Sequence, residues 1–399
     1  MVQKNMKVKI KNIDLKSKIE RNLFMLLITF TLIQNLIDFN IGVITIKPLY
    51  IIVILLLFLA VVRQKITIPN IFICSYFVYI VLVSVICAIW FGVDRTLFNY
   101  IVGFILLIIF ETFKYDFTYE DWILILRKVW CLFFVAIIIN DLIQKDDFIY
   151  YFSNLSWMEH PYHNTIVTGG ANIEASWLAI MSIFFLKSHR KWGPIFLSSV
   201  VSILYGSRAA ILCDIIIVII FVYRVNTNSK RKKLLLGGCM LVLIILLLLF
   251  VYRMGYLDMV IHRFSNIGSE SGSMGRIHMW KNIPSTIYTY PFGVGLGNSI
   301  EAISRIAERS FYESNLHLLV IQMFIDTGII GGVFYLSLWL KFLIIEIKNR
   351  FNLEISLFLI IYLIISFIQF SGGETIFFCI LGIYLISKDL NKNIKKYKI

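Results

Sequence analysis

The hydropathy pattern of this chain alternates long apolar segments with short polar or charged ones. A helix needs roughly 20 apolar residues to cross the hydrocarbon core of a bilayer. Runs near that length recur at residues 23–39, 44–62, 70–91, 97–113, 122–143, 171–186, 193–205, 209–223, 234–252, 318–345, 353–371 and 373–387. The pattern predicts an all-α polytopic membrane protein of about 12 transmembrane helices, in which the sixth to eighth and the last are short enough to be tilted or broken.

One segment interrupts the apolar pattern for longer than any other. Residues 253–317 are rich in Gly, Ser, Arg, Asn and His. In a protein that is otherwise apolar, binding and catalytic residues are expected on such a loop. We therefore predict a single membrane domain over 1–399, with spans 1–9 in 22–252, this loop, spans 10–12 in 318–387 and a basic tail at 388–399.

Composition supports the membrane assignment and excludes a soluble fold. The chain of 399 residues is 59% hydrophobic and 16% charged, with a mean hydropathy of +0.82. Soluble domains of this length carry about 25% charged residues. The bilayer is therefore the first expected partner of the chain.

The net charge of +14 is distributed in a way that indicates topology and no nucleic-acid partner. Lysines and arginines concentrate before the first apolar run, after the last one and in alternate connections, at 63–65, 187–191, 230–233 and 348–350. Because cytoplasmic loops are enriched in Lys and Arg, both termini are predicted to be cytoplasmic. The loop at 253–317 then lies on the outer face of the cytoplasmic (inner) membrane.

The cysteines and the N-terminus add no further site. All six cysteines lie in or beside apolar runs and form no C-x-x-C pair, so neither a disulfide framework nor a metal site is expected. No cofactor is implied. The first apolar run begins at Leu23 without a small-residue cleavage site and is typical of a signal anchor.

Two groups of arginines face the predicted outer side. Arg208 follows Gly206-Ser207 in a short turn, and an arginine at mid-bilayer costs roughly 2.5–3.5 kcal/mol, so it either reaches water or binds an anion. Arg263 and Arg276 lie in the long loop, the latter four residues before Trp280. Guanidinium groups bind two phosphate oxygens at once, although arginines in a polar loop are often simply solvated.

Two further patterns close the loop. The run from Pro291 to Asn298 contains G-x-G-x-G, but no strand precedes it and no G-K-S/T follows, so a tight reversal between two loop helices is favoured over a phosphate cradle. His317 lies at the predicted start of the next span, facing the outer aqueous side, nine residues before Asp326. It is either a polar anchor at the interface or a group that accepts a proton.

These patterns, in this order, resemble the O-antigen ligase and O-antigen, capsular or exopolysaccharide polymerase family of bacterial envelope proteins. The resemblance covers roughly residues 165–335. Its elements are an N-x-x-A-like span start, a G-S-R-x-A turn, R-F and G-R-x-x-x-W in a basic loop, a P-x-x-G-x-G-x-G-like stretch, and a helix that starts with histidine and continues to E-x-G-x-x-G. In this chain they stand at Asn172–Ala175, Gly206–Ala210, Arg263–Phe264 with Gly275–Trp280, Pro291–Gly297, and His317–Gly331.

The chain departs from the family pattern in the glycine stretch, which has one residue less between Pro291 and the first glycine, and in the helix that starts with histidine. Leu318 stands where the family has asparagine after the histidine, and Asp326 stands where it has glutamate. Glu313 or Asn315 could replace the missing polar group at the helix start. Because polymerases vary more at this point than ligases do, the departure favours the polymerase branch.

The resemblance implies a type-C glycosyltransferase-like membrane enzyme with an extracytoplasmic site, inverting and independent of metal. Its donor would be an oligosaccharide on undecaprenyl diphosphate. The residues that match imply Arg208 and Arg276, with Arg263, as the clamp on the diphosphate, and His317 as the catalytic base. Trp280 and Glu313 are further candidates for binding the substrate. The other outward histidines rank lower as bases: His160, His163, His262 and His278.

Three functions follow from this reading. The first is a polysaccharide polymerase that joins lipid-linked oligosaccharide repeat units, with a flippase and a chain-length regulator as partners. The alternative is an O-antigen ligase that transfers the finished glycan to lipid A core or another acceptor. A transporter or flippase is a minor alternative, because the sequence shows neither repeated halves nor ionisable groups near span centres.

Overall fold

The computed structural model describes residues 18–35, 39–41, 44–146, 164–188, 192–224, 271–311, 316–349, 353–370 and 372–396. Helix α1 covers residues 18–32. The other helices are α2 (Pro48–Val62), α3 (Ile71–Phe91), α4 (Arg95–Thr112), α5 (Tyr119–Ile143), α6 (Ala171–Met181), α7 (Trp192–Leu204), α8 (Arg208–Arg224), α9 (Ser271–Lys281), α10 (Ile283–Thr289), α11 (Ser299–Ala307), α12 (Leu319–Asp326), α13 (Gly328–Lys348), α14 (Glu354–Ser366) and α15 (Thr375–Lys396). A 3₁₀ turn, Ser182–Phe185, continues α6.

The helical architecture is confirmed, with one short addition. Strands β1 (Phe39–Ile41) and β2 (Ile44–Ile46) pair antiparallel, with Phe39 opposite Ile46. The apolar run predicted to continue to residue 39 thus ends as a helix at residue 32. An apolar run of this kind satisfies its backbone equally well in a hairpin, and hydropathy alone does not distinguish the two.

Several helices are apolar enough to make this a multi-pass membrane protein. By length and composition, α3, α4, α5 and α13 could each cross a membrane, and α2, α6, α7, α14 and the first half of α15 are shorter apolar helices. They coincide with predicted spans. The span predicted at 234–252 lies outside the described residues, so the number of twelve and the orientation stay predictions.

Local capping explains where the long helices begin. The side chain of Asn70 accepts a hydrogen bond from the Phe72 N–H (2.9 Å), and Asp94 accepts one from the Thr96 N–H (2.7 Å). Thr118 and Asp121 form a capping box at the start of α5. Each cap satisfies an N–H that has no partner inside the helix. The helices therefore start within about three residues of the predicted positions.

Glycines allow α4 and α15 to approach closely. A Cβ at Gly103 would lie 2.3 Å from Cδ2 of Phe378, and one at Gly382 would lie 2.8 Å from Cδ2 of Phe110. Small residues permit this kind of helix contact in membrane proteins. The contact brings the start of α15 beside the start of α4, where the site lies.

Charged residues gather at the opposite ends of these helices. Arg63, after α2, pairs with Glu20 of α1 and with Asp116, whose carboxylate is 3.1 Å away. Arg21 pairs with Asp121 at 2.9 Å. This end is the one predicted to be cytoplasmic, and the other end of α1, α2 and α4 faces the candidate site.

The predicted span 318–345 is not one helix. It breaks at Thr327, so that α12 ends at Asp326 and α13 starts at Gly328 with φ +74°. A Cβ at Gly328 would lie 2.4 Å from the carbonyl carbon of Phe292. The break is caused by this tertiary contact, which the hydropathy of the run does not reveal.

Candidate functional site

The site is built on residues 290–298, which we call the glycine loop. It connects α10 to α11, as the sequence predicted, and Gly293, Gly295 and Gly297 have φ values of +95°, +88° and +84°. Glycine adopts such values without the steric cost that other residues incur. The loop therefore reverses the chain tightly, and the structural interpretation of the glycine run is confirmed.

Backbone hydrogen bonds join the glycine loop to the break between α12 and α13. The N–H of Val294 donates to the carbonyl of Ile325 (3.1 Å), and the N–H of Gly295 donates to the carbonyl of Asp326 (2.9 Å). The N–H of Ile329 donates to the carbonyl of Pro291 (2.9 Å). The carbonyls left open at the end of α12 are thereby satisfied, and the loop and the helix end form one unit.

Asp326 holds this unit from inside. Its side chain is 1% exposed, and its carboxylate accepts hydrogen bonds from the N–H of Gly297 (3.2 Å), the N–H of Ser299 (3.1 Å) and the side-chain amide of Gln322 (3.4 Å). A buried carboxylate is tolerated only when donors surround it. The acidic residue that aligns with the family's glutamate thus has a structural role in the described geometry.

His317 lies two residues before α12, and the residue before it, Leu316, is hydrogen-bonded to Gln322 and Trp280. The amide oxygen of Gln322 accepts from the N–H of Leu316 (3.4 Å), and the indole N–H of Trp280 donates to the carbonyl of Leu316 (3.0 Å). Trp280 is one turn after Arg276 on α9. The structure therefore links α9, the helix that carries Arg276 and Trp280, to the residue before His317.

The exposure of His317 differs from expectation. We predicted an outward-facing side chain in the first helical turn, but His317 has a φ of +54° and is 6% exposed. Trp280, by contrast, is 37% exposed. The cause is the packing of Leu316 into the apolar cluster of α9–α12, which carries its neighbour inward. Arg263 and Glu313 lie outside the described residues.

We call the glycine loop together with α12 the first wall of the site. The second wall consists of the residues around Glu174, in the helix start that resembles N-x-x-A. Glu174 of α6 is fully buried, and its carboxylate accepts from the N–H groups of Ile166 (2.8 Å) and Val167 (3.3 Å). The hydroxyl of Tyr205 lies 3.1 Å from Glu174 and 2.8 Å from Asp141. This cluster fixes the segment at 164–170 against α6.

Arg208 belongs to this second wall. It is the first residue of α8 and is half-buried. The preceding Ser207 donates from its hydroxyl to the carbonyl of Asn172 (3.3 Å). The G-S-R turn therefore packs on the start of α6. The two described arginines of the predicted site therefore lie in different places. Arg276 is on α9, on the side of the first wall, and Arg208 starts α8, on the side of the second wall.

A cavity of about 210 Å³ lies between the two walls, and we call it the polar cavity. Its lining includes Gln322 and Gly297 from the first wall and residues 167–169, Ile173 and Trp177 from the second. The remaining lining comes from other elements: Thr31, Gln34, Tyr50, Arg95, Thr96, Asn99, Gly373, Glu374, Thr375 and Ile376.

Sequence reasoning missed most of the polar cavity. Gln34, Arg95, Asn99 and Glu374 belong to no motif, and each lies within or just before a predicted apolar run. One signal could have found them, because all lie near the predicted outer ends of their spans. Pooling the polar residues of those ends would have selected this set. Among the described residues, no group of His, Cys, Asp and Glu is arranged to hold a metal ion.

Comparison with known proteins supports the reading of the motifs. No curated protein matches the chain significantly. A family model described as O-antigen ligase matches residues 193–336, a segment that starts in α7, ends in α13 and contains Arg208, Arg276 and His317. Members of this family are membrane glycosyltransferase-like ligases and polymerases. The resemblance found in the sequence is confirmed over residues 193–336, which are similar to the O-antigen ligase family.

Proposed function

We propose that the protein is a polysaccharide polymerase, which joins undecaprenyl-diphosphate-linked oligosaccharide repeat units at the outer face of the cytoplasmic membrane. The observation that carries the proposal is the family match over residues 193–336, which includes each motif with chemistry. The departure at Leu318 favours the polymerase over the ligase.

The reaction is a displacement at the first carbon of the donor sugar. The acceptor hydroxyl attacks this carbon, the bond to the diphosphate oxygen breaks, and its electron pair leaves with undecaprenyl diphosphate. The configuration at the carbon is inverted. Negative charge grows on the leaving group, so cations fixed beside it stabilise the transition state more than the ground state.

Arg208 and Arg276 are the groups we assign to the leaving diphosphate. Both are half-buried, and each is held by a helix that packs into one wall of the polar cavity. A guanidinium keeps its charge at any working pH and binds two oxygens in a fixed geometry. Arg263 would add a third cation from the same loop.

His317 is the group we assign to the acceptor proton. The N–H of the preceding residue, Leu316, donates to Gln322, and Gln322 lines the polar cavity. As the hydroxyl attacks, the proton moves to the imidazole. Trp280, whose indole N–H donates to the carbonyl of Leu316, and Glu313, four residues before His317 in the sequence, would contact the substrate.

Purified enzyme with purified lipid-linked repeat units tests these assignments. Arg208→Lys and Arg276→Lys should recover little of the activity that Arg→Ala removes, because an ammonium group does not bind two oxygens in parallel. Arg309→Ala, at an exposed position after α11, is the control and should keep full activity. Full activity in both alanine variants would refute the assignment of Arg208 and Arg276 to the leaving diphosphate.

A pair of glutamine variants tests the base. General-base removal costs about 10²- to 10⁴-fold, so His317→Gln should fall in that range, whereas His278→Gln on α9 should stay near wild type. The reverse pattern would move the base to His278. Activity of His317→Gln within about threefold of wild type would leave it an orienting residue only.

The glycan that accumulates when the gene is removed distinguishes polymerase from ligase. Single lipid-linked repeat units indicate a polymerase. Long unattached chains would indicate a ligase. Repeat units retained at the inner face would indicate a flippase instead.

Cysteine labelling tests the orientation. In a chain whose six cysteines are replaced by serine, Tyr288→Cys, at a position 89% exposed, should react with an impermeant thiol reagent in intact spheroplasts. Asn349→Cys, at the other end of α13, should not. The opposite result would reverse the topology and leave the site on the cytoplasmic side.

A further inference from the structure

The polar cavity contains a mixture of hydrogen-bonding groups that defines its ligand. Gln34, Asn99 and Gln322 contribute side-chain amides, each with donors and an acceptor. Arg95 adds donors and Glu374 adds acceptors. An anion would meet the carboxylate of Glu374, and a cation would meet the guanidinium of Arg95. A neutral ligand with many hydroxyls, each a donor and an acceptor, satisfies the whole set.

Aromatic rings complete the cavity. Tyr50 and Trp177 are part of its lining, and Trp177 is fixed by stacking on Phe370 with ring centroids 4.3 Å apart. A ring offers an apolar surface to the C–H face of a pyranose while the amides bind its hydroxyls. A mostly apolar lining with a small number of well-placed polar groups is typical of a binding site for a small ligand.

Several of the polar groups are held in place before any ligand binds. Gln34 donates from its amide to the hydroxyl of Thr375 (2.6 Å), and Glu374 accepts from the hydroxyl of Tyr362 (2.8 Å) and the N–H of Gly372 (2.9 Å). Among the described residues, none hydrogen-bonds the side-chain amide of Asn99. Fixed groups of this kind reduce the entropy that binding costs.

The position of Gln322 indicates which sugar the cavity holds. Gln322 lines the cavity and also accepts from the N–H of Leu316, the residue before His317. A base must lie within hydrogen-bonding reach of the hydroxyl whose proton it accepts. Because His317 is the group assigned to the acceptor proton, we take the sugar beside this wall to be the acceptor.

We propose that the polar cavity is the acceptor subsite, in which Asn99, Gln34, Gln322 and Glu374 bind the terminal neutral sugar of the incoming repeat unit. The proposal rests on the proposed polymerase function. Arg95 at the cavity edge orients the sugar by its hydroxyls. Most of these residues lie outside the segment 193–336, so the acceptor specificity comes from parts of the chain that the family pattern does not cover.

Kinetics with two separate substrates test the proposal. The donor is radiolabelled lipid-linked repeat unit, and the acceptor is the free oligosaccharide released from the same lipid by mild acid. Asn99→Ala should raise KM for the soluble acceptor about tenfold, as expected for lost hydrogen bonds to a desolvated sugar, and leave KM for the donor unchanged. Asn349→Ala, at an exposed asparagine after α13, is the matched control and should change neither.

A second measurement does not depend on activity. Asn99→Cys, in the chain with its native cysteines replaced, should react with a small thiol reagent more slowly when the free oligosaccharide is present. Tyr288→Cys should react at the same rate with and without it. Such protection would support the subsite even if Asn99→Ala folded poorly.

The outcomes separate the two hypotheses. Polymerisation by wild type, with unchanged acceptor KM in Asn99→Ala and no protection of Asn99→Cys, would overturn the acceptor subsite alone. A raised donor KM with unchanged acceptor KM would assign the cavity to the donor sugar and would also overturn it. Wild-type enzyme that elongates no acceptor would instead refute the proposed function.

Discussion

Two buried carboxylates, Asp326 and Glu174, stand in the two walls of the polar cavity and do similar work with different partners. Asp326 fixes the glycine loop through the N–H groups of Gly297 and Ser299. Glu174 fixes the segment at 164–170 through the N–H groups of Ile166 and Val167. In each wall, one side chain from a helix replaces the regular hydrogen bonds that an irregular segment lacks.

The difference lies in the partners of each carboxylate. Asp326 and the partners described for it lie within residues 193–336, the segment of the family match. Glu174 shares the hydroxyl of Tyr205 with a second carboxylate, Asp141 of α5, so its network joins three helices or turns that are far apart in the chain. The first wall is joined to α3, because the N–H of Leu296 donates to the hydroxyl of Ser84 (3.1 Å) and the hydroxyl of Tyr79 donates to the carbonyl of Thr327 (2.9 Å). Both walls therefore depend on the assembly of the bundle, and they differ in that the second wall contains two carboxylates that share one hydroxyl.

Gly328→Ala should have the largest effect, because it separates the glycine loop from the α12–α13 break. The new Cβ would overlap the backbone of Phe292 at a positive φ, and strain and overpacking together cost roughly 2–5 kcal/mol. Thermal unfolding of the detergent-solubilised protein measures the loss. Gly193→Ala is the control, since a Cβ there would meet nothing within 4 Å. Equal unfolding temperatures in the two variants would contradict the close contact.

Asp326→Ala should have an effect of similar size. It leaves two buried N–H groups without an acceptor, at about 1–3 kcal/mol each. Asp326→Asn keeps one acceptor oxygen and should lose about half as much. The exposed Glu301 on α11, paired with Arg305 one turn later, provides the control, and its alanine variant should lose roughly 0.2–0.5 kcal/mol. A loss in Asp326→Ala no larger than this would show that the carboxylate does not hold the glycine loop.

Glu174→Gln should have a smaller effect on stability, but it should loosen residues 164–170 in the second wall. The amide oxygen can still accept from the N–H groups of Ile166 and Val167, which share one carboxylate oxygen. The amide nitrogen cannot accept from the hydroxyl of Tyr205, so the expected loss is about 1–2 kcal/mol. Because residues 167–169 line the polar cavity, the acceptor KM should rise in the same variant. Hydrogen exchange at 164–170 measures the loosening. Unchanged exchange would show that this segment is held by other contacts.

Tyr205→Phe should have the smallest effect of the four. It removes one hydroxyl between Glu174 and Asp141 and should cost about 1 kcal/mol. A double-mutant cycle with Asp141→Asn measures the coupling, which should be 0.5 kcal/mol or more for residues in contact. Strict additivity would show that the two carboxylates are independent, and the contrast with Asp326 would disappear.

The sequence predicted several local features well. The positions of α3, α4 and α5 followed from hydropathy. The tight reversal at Pro291–Asn298 followed from the spacing of its glycines. Arg276, Trp280 and His317 were found by motif, and the structure links α9 to the residue before His317.

The sequence alone therefore determined the features that depend on residues close to one another along the chain. These features are which segments are apolar enough for a membrane and where the helices start. The burial of His317, the break at Thr327 and the composition of the polar cavity were decided by tertiary structure. Gln34 and Thr375 meet although 341 residues separate them, and no local pattern encodes that contact. Helix formation depends on hydrogen bonds within a few residues, whereas a cavity exists only where the ends of several packed helices converge.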